Sequence, residues 1–134
     1  MGYFKDSEEV YHYIGGIFRV AGTHPQTASK LKAANVSLKL HLREPLASIV
    51  INFHDPFEVI EGPSDVEADV HFYAWADTAD KFFRGDYNLA AGIAKNEIKA
   101  VGPFKKIVKL VPIARPLFPI YRDLTANKGR ALVG

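Results

Sequence analysis

The side chains able to do chemistry in this chain are few, and their spacing suits chemistry poorly. Five histidines stand at positions 12, 24, 41, 54 and 71. No two are four residues apart, the spacing that lets one helix face hold a zinc ion. His41 and His71 fall where strands are predicted and can face the same side of the folded chain. Histidines scattered on strands are ordinarily solvated or singly hydrogen-bonded, so no metal ligand is assigned. Asp69, Asp77 and Asp80 lie near the apolar Trp75 and Phe82, a setting that can tune a carboxyl group for acid–base work. Asp77 and Asp80 fit the start of a helix better, where the macrodipole favours negative charge, and no His or Lys is spaced to complete a dyad. The absence of cysteine removes thiol nucleophiles, thiolate metal sites and disulfides. Gly85, Gly92 and Gly102 are too far apart for a phosphate loop, and no serine occupies a nucleophile elbow. The chain is therefore read as non-catalytic, with no cofactor and no metal.

What remains is a chain suited to burying apolar surface. Its 134 residues, 48% of them apolar, are enough for one domain with a core and a lined pocket. The expected domain spans residues 1–134, with a flexible tail from 125. The acidic N-terminal stretch does not read as a secretory signal and no segment reaches the roughly 18 apolar residues of a membrane span, so a soluble, cytoplasmic protein is expected. Charge is divided unevenly. Residues 1–94 carry 8 Lys and Arg against 13 Asp and Glu, and residues 95–134 carry 9 against 2. The basic segment interleaves Lys105, Lys106, Lys109, Arg115 and Arg122 with Ile107, Val108, Leu110, Val111, Ile113, Leu117 and Ile120. That pattern is too apolar for a groove-binding helix, and no nucleic acid partner is expected. It suits a lid that buries its apolar face on a sheet, and it is compatible with a membrane surface, where Lys105, Lys106, Lys109 and Arg115 would meet anionic head groups.

The elements that must position these residues are legible as changes of period. Asp6 and Glu9 have the form of a capping box, and Val10, Ile14, Ile17, Phe18 and Ala21 recur at helical spacing, predicting a helix over 7–21 with Gly22 as a left-handed stop. Gly15 and Gly16 inside it each cost roughly 1 kcal/mol against Ala, which implies a close neighbour. Pro25 opens a second helix to Ala34, with Asn35 as its stop. From Val36 the period becomes two: Val36, Leu38, Leu40 and Leu42 alternate with polar residues. Further strands are predicted over 48–53, 57–61 and 68–75, separated by His54-Asp55-Pro56 and Gly62-Pro63-Ser64-Asp65. Short connections predict an antiparallel meander. A helix capped by Asp77 or Thr78 and stopped at Gly85, a short helix over 89–95 and a strand over 97–101 follow. Residues 104–123 are helical in composition but broken or kinked by Pro112, Pro116 and Pro119.

Ala68-Asp69-Val70-His71-Phe72-Tyr73-Ala74, then Phe82-Phe83-Arg84-Gly85, Leu89-Ala90-Ala91-Gly92-Ile93-Ala94 and Glu97-Ile98-Lys99-Ala100-Val101-Gly102 follow one another in an order and spacing that resembles the sterol carrier protein type 2 family. The resemblance covers residues 36–110 and extends to the flanking helices by position. It implies an α+β fold, a five-stranded largely antiparallel sheet covered on one face by helices, with an apolar cavity between. It implies binding and carriage of a sterol, fatty acid, fatty acyl-CoA or phospholipid, and as an alternative a non-catalytic accessory subunit of a lipid or isoprenoid metabolic complex. From the elements that enclose that family's cavity, the implied lipid-binding walls are Phe72, Trp75, Phe82, Phe83, Leu89, Ile93, Ile98, Ile107, Val111, Leu117 and Phe118. Each of these also fits an ordinary core position, because a pocket wall and a core look alike in sequence.

Overall fold

The computed structural model describes residues 2–54 and 56–133, and their side chains except 127 and 129–133. The first helical stretch is continuous: α1 (Ser7–Val10), a π-helical turn (Tyr11–Gly15) and α2 (Gly16–Thr23). Asp6 accepts the Glu9 N–H at 3.0 Å, and the Glu9 carboxylate reaches back to the Lys5 N–H at 2.7 Å, so the capping box closes one residue earlier than its usual form. The π-turn sits at the glycine pair. A Cβ on Gly15 would lie 2.8 Å from the Glu61 carboxylate, which is ion-paired with Arg19. Gly15 is thus the close approach implied by its cost in a helix. Gly22 is not the stop. The helix continues to Thr23 and ends at His24, whose extended backbone suits a residue before proline.

Pro25 then opens α3 (Pro25–Ala34), and Asn35 ends it in the left-handed region at φ 52°. The strands are β1 (Ser37–Arg43), β2 (Ala47–Asn52), β3 (Glu58–Glu61), β4 (Val70–Trp75) and β5 (Lys99–Val101), in the order β3-β2-β1-β4-β5. β1, β2 and β3 form the expected meander, but β4 pairs with β1 in parallel. The expected meander therefore stops at β3, while the sheet as a whole is largely antiparallel as expected. Residues 62–69 carry the chain across the sheet without a helix, a connection too short for the usual βαβ crossover. β5 pairs antiparallel with β4.

Register puts one face of the sheet against the helices. Leu38, Leu40 and Leu42 of β1 stand beside Ile51, Ile49 and Ala47 of β2 and beside Val70, Phe72 and Ala74 of β4. The intervening Lys39, His41 and Arg43 share the opposite face with His71, Tyr73 and Trp75. After β4 come α4 (Ala76–Phe83), α5 (Leu89–Ala94), α6 (Phe104–Ala114) and α7 (Leu117–Val133). Trp75, not Asp77 or Thr78, is the N-cap of α4. Asp77 lies in the first turn and accepts the Tyr3 N–H at 2.9 Å. Gly85 at φ 86° ends this segment, as its type suggests.

The proline-bearing segment is divided between α6, which contains Pro112, and α7, with the break at Arg115 and Pro116. The segment from Thr125, expected as a flexible tail, continues α7 as far as Val133. Thr125 is buried in α7 and donates to the Tyr121 carbonyl at 2.9 Å, and Lys128 pairs with Glu9 at 3.0 Å. Asp55 of the β2–β3 turn and Gly134 lie outside the described residues. One continuous apolar core joins α1, α2, the inner sheet face, α4, α6 and α7. Each fully buried Leu, Ile or Phe in it contributes roughly 1.5–3 kcal/mol by leaving water. Among the described residues no helix is long and apolar enough to cross a membrane.

Candidate functional site

Between the inner sheet face and the helices the core is not filled. An apolar cavity remains, with an empty volume of about 670 Å³ including the part open to solvent. β1 supplies Leu38, Leu40 and Leu42, and β4 supplies Phe72 and Ala74. Phe18 of α2 meets Phe83 of α4 edge to face at 5.9 Å, and Phe53 closes the sheet side. Ala79, Phe82, Leu89 and Ile98 come from α4, α5 and the segment before β5. Leu110, Ile113 and Ala114 of α6 and Leu117 of α7 complete the wall.

Six of the eleven residues expected on the wall are on it: Phe72, Phe82, Phe83, Leu89, Ile98 and Leu117. Five are not. Trp75 projects from the opposite face of the sheet, 45% exposed, under the Arg43 guanidinium at 5.0 Å. Period two settles this, since Phe72 and Ala74 face inward and Trp75 must then face out. Ile93 and Val111 are exposed, and Ile107 packs against the core outside the cavity. Phe118 stands behind the wall, edge-on to Phe82 at 5.6 Å. On α6 the inward set is Leu110, Ile113, Ala114, one helical position away from Val111. The missed wall residues on β1 had a signal, the alternation of three leucines. Phe18 had the helical spacing of its apolar stripe, and Phe53 had none beyond being apolar.

Polar groups are gathered at the edges. Asp69 accepts the Ser37 N–H at 3.1 Å, its own N–H donates to the Ser37 hydroxyl at 2.8 Å, and its carboxylate holds Lys106 at 3.3 Å. Desolvation pulls the Asp69 carboxyl upward, but the Ser37 bond and Lys106 outweigh it and leave it below its ordinary value. Asp69 thereby joins the starts of β1 and β4 to α6. Lys105, Lys109 and Arg115 are exposed, and neither they nor Lys106 line the cavity.

Asp80, 7% exposed, accepts the Tyr121 O–H at 2.6 Å and the Arg84 Nε–H at 3.0 Å. Burial, then the bond to Asp80, pushes the Tyr121 phenol far above its usual range, so it stays protonated. This network clamps α7 onto α4. Asp80 lies in the second turn of α4, not at the helix start where sequence position suggests it. His41 and His71 do face the same side, on the sheet's outer face, where their ring nitrogens share a hydrogen bond of 2.9 Å. Burial first, then His71 and Lys39, hold the His41 imidazole below its ordinary value. Among the described residues no three His, Asp or Glu converge to hold a metal.

No protein-family model and no curated protein sequence matches this chain. Solved structures do. The sterol carrier protein domain 2 of Helicoverpa armigera superposes with a TM-score of 0.68 at 15% identity, over 89% of this chain and 95% of that one. Sterol carrier protein 2 of Yarrowia lipolytica, in its apo form, gives 0.64 at 19% identity, over 76% of this chain and 87% of that one. A ubiquinone synthesis protein, UbiJ-SCP2, gives 0.56 at 20% identity, over 77% and 88%. The chain therefore has the sterol carrier protein 2 fold: a five-stranded, mostly antiparallel α+β sheet under helices.

Proposed function

We propose that the protein binds a hydrophobic ligand of fatty-acyl or sterol size in the cavity and carries or transfers it. The observation that carries this reading is the composition of the wall, in which, among the described residues, no side chain is titratable, nucleophilic or charged. Such a wall holds an apolar molecule by burial alone, at roughly 0.8 kcal/mol per methylene. An acyl chain of about sixteen carbons would then gain on the order of 12 kcal/mol before the costs of ordering. The same wall offers no proton donor, base or nucleophile to a bound molecule, which favours a carrier over an enzyme. The resemblance to sterol carrier proteins in fold supports the ligand class, and apolar walls select weakly within it. Sterol, fatty acid, acyl-CoA and phospholipid are all within that class.

Native mass spectrometry of freshly purified protein, with extraction of what it retains, tests this directly. A bound lipid and vesicle-to-vesicle transfer that rises with protein concentration are expected; a protein with no retained lipid that never accelerates transfer would sink the proposal. The similarity in fold to a ubiquinone synthesis protein favours a second reading, a non-catalytic subunit of a lipid or isoprenoid metabolic complex. That reading requires a stable complex with a defined partner enzyme, measurable by analytical ultracentrifugation, and impaired flux when the complex is broken.

A further inference from the structure

Helix α6 has two apolar faces, and the core covers only one. Leu110 and Ala114 are buried, whereas Phe104, Val108 and Val111 are 78%, 50% and 42% exposed. At 3.6 residues per turn these three fall within an arc of roughly 60°. Arg115 falls in the same arc, and Lys105 and Lys109 lie to one side of it, about 60° and about 100° beyond its edge. All three cations are exposed, and none enters an ion pair among the described residues. An exposed phenylalanine and two valines on one stripe are a standing cost in water, and they mark a surface that something covers.

We propose that this outer face of α6 docks on an anionic phospholipid bilayer, with Phe104 and Val108 entering the interface and Lys105, Lys109 and Arg115 on the head groups. Charge complementarity selects the partner, since residues 95–134 carry 9 basic against 2 acidic residues. Area selects against a protein. The face of this 11-residue helix is about 16 Å long and about 10 Å wide, roughly 160 Å² and far short of the roughly 800 Å² per partner of a stable protein interface. An interfacial helix needs only a few inserted apolar side chains and nearby cations.

Docking would place the cavity wall itself at the bilayer, because Leu110, Ile113 and Ala114 line the cavity from the other side of the same helix. Pro112, between them, has no N–H to give the Val108 carbonyl, so α6 lacks a backbone bond where a wall would part. This consequence rests on the carrier reading; the docking does not.

Trp75 is the chain's single tryptophan and lies on the far face of the sheet. A Trp75→Phe, Phe104→Trp variant therefore reports on α6 alone. Its emission should shift to the blue on phosphatidylcholine vesicles containing phosphatidylglycerol and stay unchanged on phosphatidylcholine alone. Adding Lys105→Glu with Lys109→Glu should weaken that partitioning by about tenfold or more, and adding Val108→Ser should weaken it too, with the far-ultraviolet circular dichroism unchanged. No blue shift, an equal shift on neutral vesicles, or a shift that grows with protein concentration in vesicle-free buffer would each overturn the proposal, the last in favour of a second copy of the chain. Docking without retained lipid or transfer would count against the carrier reading alone, and lipid carriage without docking against this one alone.

Discussion

The Tyr121 hydroxyl and the Asp80 carboxylate meet at 2.6 Å inside the protein, where Tyr121 has no contact with water. Tyr121→Phe keeps the ring packed against Phe83 and beneath Arg84 and leaves Asp80 bonded to Arg84. It should cost about 1.5 kcal/mol, the worth of one hydrogen bond to a charged group. Asp80→Ala strips both partners at once, leaving a buried hydroxyl without an acceptor and the Arg84 guanidinium with Thr125 but without its carboxylate, and should cost about 3 kcal/mol or more. Urea unfolding midpoints check both, and losses under about 0.5 kcal/mol, the size of a plain surface change, would show that this network does not hold α7 to α4. Sequence position gave no sign of the pairing, because Asp80 falls near a helix start and Tyr121 lies 41 residues away. His41 makes a second residue-scale prediction. Its imidazole is held below its ordinary value, so the unfolded chain takes up a proton that the folded chain resists. The stability this gives is present above about pH 6.5 and is lost as pH falls below it toward the folded value. Urea midpoints should drop over that window, and His41→Gln should flatten the drop.

Asp69 does for elements what Asp80 does for side chains, tying β1, β4 and α6 together through Ser37 and Lys106. Its carboxyl is depressed in the folded state, so its contribution is complete above the unfolded value near pH 4 and is lost as pH falls through the folded value. Asp69→Asn should remove that part of the acid sensitivity, read as a smaller difference in urea midpoint across the acid limb, and should loosen α6 in amide hydrogen exchange at neutral pH. A variant whose acid limb matches the parent's would show that Asp69 is not the tether. Most elements were legible because their causes are local: Asn35 at a helix stop, Pro25 at a helix start, leucines alternating from Leu38 to Leu42. The parallel pairing of β4 with β1 was not, because Gly62-Pro63-Ser64-Asp65 reads only as a turn and nothing local says which strand edge the chain reaches next. The continuation of α7 past Thr125 has a related cause. Its polar end is held by Lys128 on Glu9 and by the buried Thr125, contacts with or near distant elements that composition cannot foresee.

At the scale of the whole molecule the cavity is a property of no single element, and that is why only part of its wall was readable. Phe72, Phe82 and Leu117 were named because the resemblance puts their elements round the cavity, a ground that also admitted Trp75 from the outer face, whereas Val111 and Ile107 required the rotation of α6 about its axis, set by α3 and α7 packing against it. The distinction that sequence leaves open, pocket or ordinary core, can be decided by filling the space. Ala74 on β4 and Ala114 on α6 both line the cavity and are both nearly covered, at 9% and 8% exposed. If the space were ordinary core, Ala74→Phe and Ala114→Phe would overpack it and cost about 1–3 kcal/mol each. If it is standing empty volume, each new ring finds room and adds buried apolar surface at roughly 25 cal/mol per Å², so the variants should match or exceed the parent in urea. They should also retain less lipid in native mass spectrometry, the double variant least. Stability held with lipid lost identifies a ligand cavity; stability lost in both single variants would show that these walls already touch.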